Sequence, residues 1–131
     1  IVYACSGGGI LYAVDAASGH KKWGFEAGCT NNSPAVADGT VYLGSSDLYA
    51  VDMYSGQQEW RCEGVQAEAS PMVVDGTAYV VSHDGTLHGV DTESGREEWT
   101  FEAGDNILTS PTVADGTVYV ASSGALYAVA A

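Results

Sequence analysis

Short apolar runs separated by glycine- and aspartate-rich turns fill the chain, and no stretch carries apolar residues at helical spacing. An apolar run at 34–37 meets Asp38-Gly39, and a second run follows at 40–44. Asp-Gly between two such runs predicts a hairpin, because both residues tolerate positive φ. Residues 48–52 make a third strand. Residues 53–56 make a turn in which Gly56 can take a left-handed conformation, and 59–63, around Trp60, make a fourth strand.

This unit repeats. Leu11-Tyr12-Ala13-Val14-Asp15 returns at 48–52, as Leu87-His88-Gly89-Val90-Asp91, and in part as Leu126-Tyr127-Ala128-Val129. Ser18-Gly19, Ser33-Pro34 and Asp38-Gly39-Thr40 each have two further copies, and Trp23 recurs as Trp60 and Trp99. Four short antiparallel strands in roughly 40 residues is the arithmetic of a propeller blade. With strands lettered A to D from the inside, the chain opens with B, C and D. Two complete blades follow, and the chain ends with A, B and C. The expected fold is an all-β propeller segment of fourteen strands, about 3.5 blades. Its expected parts are a partial blade at 1–28, blades at 29–65 and 66–104, and a partial blade at 105–131.

The repeat resembles the pyrroloquinoline-quinone-like β-propeller family, whose tryptophan-docking motif reads Ala-x-Asp-x-x-Thr-Gly-Lys-x-x-Trp. The matching positions are Ala13, Asp15, Gly19 and Trp23; Ala50, Asp52, Gly56 and Trp60; and Gly89, Asp91, Gly95 and Trp99. Ser stands for Thr in all three copies, the Lys position varies, and a fourth copy breaks off at Ala130, where Asp is expected. The resemblance implies that each Trp is structural. Its ring would lie between neighbouring blades, against the small Ala or Gly of the repeat beside it, and Asp15, Asp52 and Asp91 would accept turn N–H groups. The family also includes quinoprotein dehydrogenases, which hold the quinone and calcium over an eight-bladed ring and often carry adjacent cysteines. Cys5, Cys29 and Cys62 include no adjacent pair, and the blades are too few for that funnel. The expectation is therefore no catalytic, cofactor-binding or metal-binding residue and no cofactor. The family resemblance points to an extracytoplasmic or cell-surface location.

The remaining chemistry is sparse. The 131 residues hold 17 Asp and Glu against 4 Lys and Arg, a net charge of −13, which argues against nucleic acid and against electrostatic docking on anionic membranes. The surface is either a solubilising or a halophilic one. No signal peptide is expected in residues 1–30, although a mature or excised chain would look the same. The Asp-Gly copies offer one carboxylate per hairpin, which is turn chemistry rather than a calcium loop. No CxxC spacing supports zinc. Cys62 replaces Phe25 and Phe101 and is expected as a small buried apolar residue, while Cys29 leaves an intermolecular disulfide open. His20, His83 and His88 are expected as partly exposed turn or strand residues, and Asn31-Asn32-Ser33 is a short match to a glycosylation sequon.

A run of blades exposes an apolar face at each end. The expected function is a non-catalytic scaffold or binding module that self-associates, a dimer first, or that binds another protein. Two copies head to tail would supply four full and four three-stranded blades. The alternatives are a fragment of a quinone-dependent dehydrogenase, or an engineered or evolutionary propeller fragment with no ligand.

Overall fold

The computed structural model describes residues 1–29, 33–67, 69–104, 107 and 110–131. Among them are fourteen strands and no helix. The first sheet is β1 (Val2–Cys5), β2 (Ile10–Val14) and β3 (Lys21–Glu26). The second is β4 (Ala35–Ala37), β5 (Thr40–Gly44), β6 (Leu48–Asp52) and β7 (Gln58–Cys62). The third is β8 (Met72–Val74), β9 (Thr77–Val81), β10 (Thr86–Asp91) and β11 (Glu97–Glu102), and the fourth is β12 (Thr112–Ala114), β13 (Thr117–Ala121) and β14 (Leu126–Ala130). Each sheet is an antiparallel meander in chain order. Strand β4 approaches β8, and β8 approaches β12, so the sheets share an inner side as propeller blades do.

The A–B hairpins turn on Asp38-Gly39, Asp75-Gly76 and Asp115-Gly116, where both residues have positive φ, for example 49° and 81° in the first of them. This twist matches that of the flanking strands. Next to them lie the C–D turns: Met53 N–H and Thr92 N–H donate to the carbonyls of Gly39 and Gly76.

The core forms three layers, one between each pair of consecutive sheets. Leu11, Ala13 and Trp23 pack with Val41, Leu43 and Val51. Leu48 packs with Ala78, Val80 and Val90, and Tyr79, Val81 and Leu87 pack with Val118 and Val120. Inner strands therefore bury both faces, and β5 is buried at all five positions. Among the described residues, the outer faces of the first and fourth sheets have no such neighbour: Val2 is 51% exposed and Leu126 is 72% exposed.

Cys5 and Cys29 form a disulfide within the chain, which corrects the intermolecular bond left open for Cys29. The cause is local. Ala27 and Gly28 both donate backbone N–H groups to the Gly9 carbonyl, which folds the linker back over the end of β1 and buries Cys29. Cys62 is free and half-buried rather than fully buried, and burial pushes its thiol pKa up. Two residues of the sequon, Asn31 and Asn32, lie outside the described residues.

Candidate functional site: the contacts between sheets

The three Trp residues sit on the D strands β3, β7 and β11, directly across from a small residue of their own sheet. The pairs are Ala13 with Trp23, Ala50 with Trp60, and Gly89 with Trp99. Trp23 also reaches the next sheet, where its indole N–H donates to the Met53 carbonyl at 3.0 Å. Trp60 repeats the contact one sheet on, donating to the Thr92 carbonyl at 2.7 Å. The residue of the next sheet that lies under each ring is a turn glycine. A Cβ added to Gly56 would come within 2.6 Å of the Trp23 ring, and one added to Gly95 within 2.5 Å of the Trp60 ring.

Trp23 and Trp60 thus lie between sheets against a glycine of the adjoining repeat, and that glycine is the turn residue of the motif, Gly56 or Gly95. The small residue is the ring's cross-strand neighbour at home, and the adjoining sheet supplies a carbonyl and a bare turn. Trp99 shows the home contact: a Cβ on Gly89 would come 2.6 Å from its ring.

A second set of residues was missed by the sequence reading. Tyr3, Tyr42 and Tyr79 lie beside Trp23, Trp60 and Trp99 with ring centroids 5.8 to 5.9 Å apart. The signal was available, because a Tyr recurs at this B-strand position in all four sheets: Tyr3, Tyr42, Tyr79 and Tyr119.

The turn carboxylates act on the backbone. Asp15 Oδ1 accepts the N–H groups of Ala17 and Ser18, and Asp52 Oδ1 those of Tyr54 and Ser55, all at 2.9 Å. These bonds favour the charged form and hold both carboxyls below their ordinary range. Asp91 Oδ1 accepts Glu93 N–H at 3.0 Å. Among the described residues, no group of three His, Cys, Asp or Glu is arranged to hold a metal ion.

The middle interface departs from its neighbours. Phe25 meets Tyr49 edge-on, and Phe101 meets Tyr127 likewise, with centroids 5.4 Å apart in each pair. At the equivalent positions between the second and third sheets stand Cys62 and His88, and His88 Nδ1 lies 2.5 Å from Glu97. Restoring the pair with Cys62→Phe and His88→Tyr should give a positive coupling of about 0.5–1.5 kcal/mol. A double-mutant cycle in urea measures it. Additive single effects would show that no ring contact forms there.

Four meandering sheets, stacked through indoles and turn glycines, make the chain a β-propeller segment of pyrroloquinoline-quinone-like repeats. The model of the family described as outer membrane protein assembly factor BamB matches residues 1–62 and 45–131, and the chain belongs to that family. It is similar to BamB from Moraxella catarrhalis at 28% identity and a TM-score of 0.80, covering 94% of this chain and 40% of that one. The chain thus spans less than half the length of that relative. It is also similar in fold to the computationally designed Ika4 protein at 13% identity and a TM-score of 0.81, covering 98% of this chain and 83% of that one. A third likeness is the quinohemoprotein alcohol dehydrogenase ADHIIG from Pseudomonas putida HK5. It has 19% identity and a TM-score of 0.74, with 90% of this chain and 26% of that one covered. A comparison with curated proteins found no match.

Proposed function

We propose that the chain is a non-catalytic propeller scaffold whose end faces bind protein, a second copy of itself first, with blades divided after residues 28, 65 and 104. The observation that carries this reading is the contrast between equivalent positions. Val41 and Leu43 are fully buried between sheets, whereas Val2 and Ala4, their counterparts in the first sheet, are exposed. Tyr42 is 4% exposed, and its counterpart Tyr119 on the other end is 39% exposed. Head-to-tail stacking would set the fourth sheet of one copy against the first sheet of another and cover both surfaces. In this reading the twelve motif residues are structural: the tryptophans join sheets, the small residues make room for them, and the aspartates hold the turns.

The family description favours an extracytoplasmic location, and the Cys5–Cys29 disulfide supports it, because such bonds persist in oxidising compartments. Quinone chemistry gains no support from the side chains. The cleft between the second and third sheets, of about 730 Å3, is lined by Asp38, Glu59, Asp75, Asp91 and Glu93, which would repel a polycarboxylate quinone.

The test is the native mass by light scattering at low and high salt. A dimer is expected, tighter at high salt, where the repulsion between copies of net charge −13 is screened. A folded monomer at micromolar concentration in both conditions would overturn self-association.

A further inference from the structure

We propose that the joint between the second and third sheets is a salt-sensitive hinge, whose outer rim parts at low ionic strength and bares the Cys62 thiol while both sheets stay folded. The inference does not rest on self-association. Every part of the joint lies within the two four-stranded sheets and the linker between them.

The inner side and the linker hold the joint closed. Strand β4 approaches β8, and Val65 and Ala67 of the linker are buried in the layer between the sheets. The linker is bonded to both sheets. The N–H groups of Gln66 and Ala67 donate to the carbonyls of Ser46 and Ser45 in the second, and the Gln66 carbonyl accepts His83 N–H from the third. These backbone ties form the spine of the hinge.

The rim, on the side of the D strands, is braced less than the rims of the two neighbouring joints. There Phe25 meets Tyr49 and Phe101 meets Tyr127, each pair reaching from one sheet to the next. Here Cys62 takes the ring position, and His88 makes its polar contact inside its own sheet, with Glu97 of β11. Trp60 is the latch, through its N–H on the Thr92 carbonyl. It is half-buried where its counterpart Trp23 is buried.

Charge supplies the force that opens the joint. Asp38 and Glu59 of the second sheet and Asp75, Asp91 and Glu93 of the third line the same cleft of about 730 Å3, and no Lys or Arg among the described residues lines it. Closure brings like charges together from both sides. Their repulsion reaches about 30 Å in 0.01 M salt and about 3 Å in 1 M salt. Parting the rim relieves it and breaks the Trp60 bond, which is a local opening rather than global unfolding.

The test uses the whole oxidised chain, in which Cys62 is the free thiol. Its alkylation by N-ethylmaleimide, an uncharged probe, is followed by intact mass in about 0.01 M and about 1 M NaCl. The reaction should run about tenfold faster or more at low salt, with a urea slope well below that of global unfolding. The Trp60 indole N–H should exchange faster at low salt by a similar factor. Burial, with Glu97 and Asp47, holds the Cys62 thiol pKa up, so screening those carboxylates alone would speed alkylation at high salt, the opposite sign. Asp38→Asn with Asp75→Asn removes two charges and keeps residues that tolerate positive φ. It should slow the low-salt reaction about threefold or more. A rate that is unchanged or faster at high salt, a urea slope equal to that of global unfolding, or an Asn variant that reacts like the native chain would each overturn the proposal. The event lies within one chain, so its rate is unchanged on dilution. A folded monomer in both salts therefore defeats self-association alone, and a salt-independent rate defeats this proposal alone.

Discussion

Replacing Gly95 by alanine should destabilise the chain by about 2–5 kcal/mol in urea unfolding, and replacing Gly19 by alanine by only about 1–2 kcal/mol. The two glycines occupy the same C–D turn of different sheets, with φ of 74° and 75°. A side chain in that left-handed region costs the same at either place. The surroundings differ. Nothing lies within 4 Å of a Cβ on Gly19, whereas a Cβ on Gly95 would sit 2.5 Å from Cδ2 of Trp60. The ring cannot simply retreat, because its N–H is bonded to the Thr92 carbonyl of the same turn. Overpacking of that kind costs about 1–3 kcal/mol beyond the backbone strain. The difference between the two variants therefore reads the indole contact alone. Equal losses would show that Trp60 is not seated on the third sheet.

The second large effect is on the disulfide. Reduction of Cys5–Cys29 should lower stability by about 3.5 kcal/mol, the loop-entropy value for a closure of this size, whose cysteines are 24 residues apart. The bond ties β1, an edge strand, to the linker that leaves the first sheet, so the loss should fall first on the first sheet. Urea curves with and without dithiothreitol measure the shift, and hydrogen exchange locates it. Coincident curves would mean that the linker holds β1 through its backbone bonds to Gly9 without help from the cysteines.

The repeat made most of the fold legible. The strands expected at 40–44 and 48–52 are β5 and β6 to the residue, and the one expected at 59–63 begins one residue earlier as β7. Asp38-Gly39 takes the positive φ values that its chemistry suggested. These features depend on local pattern. The tryptophan seat does not. Each of the three complete motif copies holds both a small C-strand residue and a turn glycine, and periodicity alone cannot say which of them belongs to the ring's own sheet and which to the next. The pairing of Ala50 with Trp60 and the approach of Trp60 to Gly95 separate the two roles only once the sheets are stacked. Cys29 was opaque for a related reason. Its partner is chosen by the linker folding back onto Gly9, a tertiary event with no mark in the spacing of three cysteines.

Gly19 has a consequence for any closed assembly. The chain has three indoles, and the roof above Gly19 is empty where Gly56 and Gly95 each carry one. Any sheet that packs against this end in a closed ring must bring an indole to seat on Gly19, as Trp23 and Trp60 do on the glycines after them, and a ring closed without one would be weakest along that line.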